Sequence, residues 1–162
     1  MKKKKPHEDQ GPILVPVDFS AHSVVALLWA ADLCQRLDAP LRVMHVIHDP
    51  ESAPGYYFRS KKKKVMRRIE EAALEMMEEY LDGVVREHPE IDILKDLEPI
   101  LVPGLPVTRI LEVAEEIGAR MIAMASQGRT GLPHFLLGSK AVRVVQLSPI
   151  PVTIVKGSGR AD

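Results

Sequence analysis

An α/β fold, a parallel sheet with helices on both faces, follows from three features of this chain. Five short runs, residues 13–17, 41–47, 97–102, 120–125 and 150–155, are apolar almost throughout, as expected of strands covered on both sides. Between them lie segments whose apolar residues recur at helical spacing, and this alternation calls for right-handed crossovers. Proline, glycine and aspartate mark the joins. With 162 residues, 46% of them hydrophobic, the chain fills one sizeable core, so a single domain over residues 11–157 is expected.

The first strand, residues 13–17, ends in Asp18, and Pro16 within it lacks an N–H, which weighs against a central ladder position. Ser20 and Ser23 are candidate N-caps for a first helix carrying Val24, Leu27, Leu28, Ala31 and Cys34 on one face and ending near Leu37. After the break at Asp38 and Pro40 comes the second strand, residues 41–47. A turn-rich loop with Asp49, Pro50, Pro54 and Gly55 leads to a long helix, whose inner face reads Val65, Ile69, Ala73, Met76, Tyr80 and Val84 and which stops before Pro89. The third strand is residues 97–102. A third helix opens after Pro103, Gly104 and Pro106, presents Val107, Ile110, Leu111, Ala114 and Ile117, and stops at Gly118. Residues 120–125 form the fourth strand, 139–147 the last helix and 150–155 the last strand.

Charge is balanced, with 22 Lys+Arg against 22 Asp+Glu, so no overall field draws the chain to nucleic acid. Residues 1–10, with four lysines, read as a disordered basic arm, because the apolar run after it is too short for a signal or spanning segment. Residues 158–162 read as a polar tail. Cys34, the one cysteine, excludes an internal disulfide and a multi-thiolate metal site and suits a reducing, cytoplasmic compartment. His45 and His48 are an odd number of positions apart, so on one strand they face opposite sides, and the remaining histidines are scattered; no metal site is read.

The segment with most chemical content is residues 125–139, a glycine-punctuated loop between the fourth strand and the last helix. Glycines let backbone N–H groups approach an anion, and a helix start points N–H groups at it. A phosphate cradle is the functional reading; an ordinary strand-to-helix turn is the alternative. A P-loop is excluded, since Pro133 stands where its first glycine belongs and Ser139 precedes Lys140; the dinucleotide fingerprint fails as well. In such sheets ligands bind beyond the carboxyl ends of the strands, where both Asp18 and this loop lie. Asp18 reads either as a general base, for which no partner is spaced, or as a cap of the turn before the first helix.

The run Arg59, Lys61, Lys62, Lys63, Lys64, Arg67 and Arg68 opposes the dipole of the helix it opens. The acidic stretch from Glu70 to Asp82 could pair with part of it at i,i+4 spacing, leaving a solvated face. A sharper expectation is that this basic loop reaches over the same crevice toward phosphates.

Residues 13–20, 41–46, 110–115 and 121–155 together closely resemble the universal stress protein family, most specifically through Ser126 to Leu132, Leu136 to Ser139 and Pro151 to Val155. The resemblance implies strand order 3-2-1-4-5 in a Rossmann-like, adenine nucleotide α-hydrolase-like fold. It also implies a homodimer paired through residues 150–156 and, in one branch, an adenine nucleotide (ATP, ADP or AMP, with or without Mg). That branch carries Gly-x2-Gly-x9-Gly-[Ser/Thr]; here Gly128 and the Gly138, Ser139 pair match, while Ala125 replaces the first glycine. An alanine there costs affinity if the position needs positive φ. Carried over, Pro16, Val17 and Asp18 stand at the adenine and ribose end, with Val43 and Val46 lining the base pocket. Met124, Ala125, Ser126, Gln127, Gly128 and Arg129 follow the sugar and phosphates, and Gly138, Ser139 and Lys140 hold the phosphate tail. The expected function is a nucleotide-binding sensor or regulator with at most slow hydrolysis. Its rivals are a dimeric scaffold without nucleotide and, more weakly, a nucleotide-activating transferase releasing AMP and pyrophosphate. An unidentified protein partner is expected, with no membrane insertion and no specific nucleic acid.

Overall fold

The computed structural model describes residues 11–47, 62–128 and 137–157, the side chains of 62–68 excepted. The expected basic arm and polar tail, His48, Arg59, Lys61 and Arg129 lie outside the described residues, as do the side chains of Lys62, Lys63, Lys64, Arg67 and Arg68. The elements are β1 (Ile13–Pro16), α1 (Ala21–Leu37), β2 (Leu41–Ile47), α2 (Lys62–Glu87), β3 (Ile100–Pro103), α3 (Pro106–Glu116), β4 (Met121–Ala125), α4 (Ser139–Leu147) and β5 (Val152–Val155). All strand pairs are parallel, in the order β3-β2-β1-β4-β5.

Alternation along the strands divides the core in two. Ile13, Val15, Val17, Leu41 and Val43 face α1 and α2, meeting Leu27, Ala31, Cys34, Met77, Leu81 and Val84. Leu14, Met44, Val46, Ile122 and Met124 face α3 and α4, meeting Ile110, Val113, Ala114, Ala141 and Val144. Each fully buried aliphatic side chain contributes about 1.5–3 kcal/mol, so a sheet sandwiched in this way is fixed in register from both sides.

Strand ends differ from the sequence reading by one to three residues, and the differences that matter lie beside prolines. Strand three begins at Ile100, because Pro99 cannot donate to a ladder; Leu97 still packs on the core, following a 3-10 turn (Asp92–Leu94). Strand five begins at Val152, after Pro149 and Pro151, although the Pro151 carbonyl accepts from Ile122 N–H at 3.0 Å. Pro16 does sit on the central strand. Ile13 and Val17 N–H donate toward β2, to Pro40 and Met44 carbonyls, so residue 16 would donate on the opposite side, toward β4. There the ladder has already ended, since β1 pairs with β4 only at Ile13↔Met121 and Leu14↔Ile122. The missing N–H therefore goes unmissed.

The helix faces follow the sequence except on α2, where Met77 is fully buried and Met76 is 44% exposed. The spacing Ala73, Met77, Leu81, Val84 is the better 3.6-residue stripe. Ser20, not Ser23, caps α1, accepting from Ser23 N–H at 3.2 Å. Gly118 ends α3 with φ +59°, a conformation that strongly favours glycine.

Candidate functional site

The separation of β1 from β4 beyond Leu14 opens the sheet at the point where strand order reverses. On one wall the chain leaves β1 through Asp18, whose Oδ1 accepts from Ser20 N–H (3.1 Å) and Ser20 Oγ–H (2.5 Å). The capping reading of Asp18 is thus the observed one, an aspartate-nucleated turn into α1. On the other wall β4 ends at Ala125, and Ser126 N–H still donates to the Val155 carbonyl at 3.0 Å.

Two contacts bring the walls and the loop ends together. A Cβ built on Gly128 would lie 2.8 Å from Asp18 Oδ2, closer than any real side chain tolerates, so the Gly128 backbone lies directly against that carboxylate. Gly138 N–H donates to the Ser126 carbonyl at 2.9 Å, bringing the start of α4 to the tip of β4. The N-cap of α4 is Gly138, which has no side chain to cap it, and Ser139 and Lys140 at its first turn are exposed. A helix start with an exposed hydroxyl and ammonium in its first turn is chemically suited to an anion.

The remaining expected residues divide. Ala125 is an ordinary strand residue paired with Val155, and the positive-φ residues other than glycine are Phe19 and Asp38 among the described residues, so the backbone strain expected of an alanine there does not arise. Val43 and Val46 do not share a wall: Val43 is fully buried beneath α1 and α2, and Val46, 8% exposed, faces α3 and α4. Three positions apart on a strand, they point to opposite faces. Met124 is buried with Val46, Val17 is buried with Val43, and Pro16 is half-buried at the strand tip. Ser126 and Gln127 are half-buried between Ala125 and Gly128.

Sequence reading passed over a group beneath the Asp18 turn. Phe19 adopts φ +64°, which costs a bulky residue about 1–2 kcal/mol. Its ring lies 4.2 Å from that of His45, tilted by 32°, and 5.6 Å from that of Tyr80, edge-on at 66°. His45 Nδ1 bonds the Val17 carbonyl at 2.8 Å. Tyr80 Oη lies 3.0 Å from Oγ of the buried Ser23, and burial, joined by the nearby Asp18 charge against the Ser23 hydrogen bond, pushes the phenol up to about 12. Tyr80 stood on the expected helix face, and His45 shares a strand face with Val43, but nothing local marks a phenylalanine for a left-handed turn. Among the described residues no group of three or more His, Cys, Asp or Glu gathers to hold a metal, and no helix is long and apolar enough to cross a membrane.

Comparison with known proteins follows the same lines. The sequence model of the universal stress protein family matches residues 11–156. The universal stress protein Rv2623 of Mycobacterium tuberculosis is 28% identical over 155 residues, covering 94% of this chain but 48% of its own length; the chain thus spans about half of that relative. The universal stress protein MJ0577 of Methanocaldococcus jannaschii is 29% identical over 151 residues, covering 89% of this chain and 93% of its own. Its solved structure superposes with a TM-score of 0.64 over 91% of this chain and 96% of that one, at 28% identity. The universal stress protein of Archaeoglobus fulgidus, solved in complex with dAMP, shares the fold: TM-score 0.58, 22% identity, 90% of this chain and 98% of that one.

Proposed function

The chain belongs to the universal stress protein family, and from that premise we propose that it binds an adenine nucleotide between the tips of β1 and β4 and acts as a nucleotide-dependent regulator. The observation that carries the proposal is the close approach of Gly128 to the Asp18 carboxylate, beside a helix start whose N-cap, Gly138, has no side chain. The dAMP held by the Archaeoglobus relative supports the choice of an adenine base. In this reading Asp18 accepts from the ribose hydroxyls, and Pro16, Val17 and Val46 border the adenine, while Val43, fully buried beneath α1 and α2, takes no part. Met124, Ala125, Ser126, Gln127 and Gly128 line the path of the sugar, with Arg129 next in the chain. N–H groups of Gly138 and Ser139, with the Ser139 hydroxyl and the Lys140 ammonium, meet the phosphates. The ligand is ATP, ADP or AMP, with or without Mg. Efficient hydrolysis requires an oriented water and concentrated positive charge, for which the sequence offers only Asp18, Lys140 and Arg129, so turnover is slow at most.

We assign the open edge of β5 to a second copy of the chain and treat residues 11–157 as one unit. Val152, Thr153 and Ile154 are only half-buried there, and the exposed Val145 and Leu147 lie on the helix that leads into this strand. The lone buried thiol of Cys34 supports a cytoplasmic setting. The rival reading, a dimeric scaffold without nucleotide, is favoured by Ala125 in place of the motif's first glycine. Calorimetric titration with ATP, ADP and AMP, with and without magnesium, separates the two, together with mass analysis of small molecules released from gently purified protein. Heat of binding, or a co-purified adenine nucleotide, is expected; neither at millimolar ligand refutes the reading.

A further inference from the structure

We propose that His45 and Tyr80 are positioning residues for this crevice: from β2 and α2 they clamp the turn at Phe19 and thereby hold the Asp18 carboxylate against Gly128. The inference rests on the proposed function for its ligand, but the geometry it concerns exists without one. The Asp18 Oδ1 bond to Ser20 N–H spans Phe19, so the orientation of the carboxylate and the conformation of Phe19 are a single variable. A phenylalanine at φ +64° returns to negative φ unless its surroundings hold it.

Proton accounting gives the clamp a direction. A carbonyl oxygen only accepts, so the bond to Val17 places a proton on His45 Nδ1. Ser23 Oγ has one proton, donated to the Ser20 carbonyl at 2.8 Å, so the Tyr80 hydroxyl donates to Ser23 Oγ. Ser20 Oγ in turn donates to Asp18 and accepts from Ser23 N–H. The residue before Phe19's neighbour Asp18 is therefore held from β2, the first turn of α1 is held from α2, and the Phe19 ring lies against the rings of both holders.

Long-range 1H–15N spectra of the full chain should place the proton of neutral His45 on Nδ1. His45→Phe keeps a ring against Phe19 but removes the donor, and Tyr80→Phe removes one hydroxyl. Each is expected to speed native-state exchange of the Ser20 amide, roughly tenfold for His45→Phe, while the Ile122 amide, bonded to the Pro151 carbonyl, stays protected. ATP affinity should fall about tenfold in His45→Phe but no further when His45→Phe is added to Asp18→Ala, because nothing is left to position. A proton on Nε2, unchanged Ser20 exchange in both variants, or affinity losses that add in the Asp18→Ala background would each overturn the inference. A wild-type chain that binds no adenine nucleotide refutes the proposed function instead, and Ser20 exchange still decides this one.

Discussion

Replacing Gly128 by alanine puts a methyl carbon 2.8 Å from Asp18 Oδ2. The carboxylate cannot simply turn aside, because its other oxygen is held by Ser20 N–H at 3.1 Å and Ser20 Oγ–H at 2.5 Å. Either those bonds break, at about 1.5–3 kcal/mol for hydrogen bonds to a charged group, or the Gly128 backbone retreats, at a typical overpacking cost of about 1–3 kcal/mol. Both routes pull the crevice walls out of place, so ATP affinity should fall roughly ten- to a hundredfold. The sharper assay needs no nucleotide. In a double-mutant cycle read by denaturant unfolding, Gly128→Ala is expected to cost about 1–2 kcal/mol in the wild type and close to nothing beside Asp18→Ala, since the methyl then has nothing to strike. An equal cost in both backgrounds would refute the contact on which the site is built.

Other consequences are open to simpler measurements. Met77→Ala should destabilise by about 2–5 kcal/mol and Met76→Ala by less than about 0.5; comparable losses in urea unfolding would contradict the assigned face of α2. Burial pushes the Cys34 thiol up to about 11 and the Tyr80 phenol to about 12, from ordinary values of 9.0 and 10.0. Above pH 9 the unfolded chain loses these protons first and the folded state keeps them, so the denaturant midpoint should fall as pH rises from 9 to 12, with a shallower fall between 9 and 11 in Cys34→Ala. Thr153 and Val155 lie in the register that bonds β4, so Ile154 N–H points to the open edge. Ile154→Pro should therefore leave the β4 ladder intact and shift a dimer toward monomer in sedimentation; an unchanged assembly would remove β5 from the interface.

What the sequence carried by itself was local. Strand runs, helical stripes and the Gly118 stop depend on neighbours a few positions apart, and all are legible because burial and backbone conformation impose periods of 2 and 3.6. The motif also placed Asp18 and Gly128 at the ends of strands one and four. Boundaries slipped by a residue or more beside Pro16, Pro99 and Pro151, where a missing N–H matters only in relation to a partner strand.

Tertiary structure decided the rest, because it turns on register between elements far apart in the chain. The early parting of β4 from β1 makes the central proline harmless and separates the two strand tips. Packing on both sheet faces sends Val43 and Val46 apart. Rings from β2 and α2 hold Phe19 in a conformation that its own sequence neighbourhood disfavours. Local preferences of about 1 kcal/mol per residue set the elements; contacts between elements are strong enough to override them where the walls of the crevice meet.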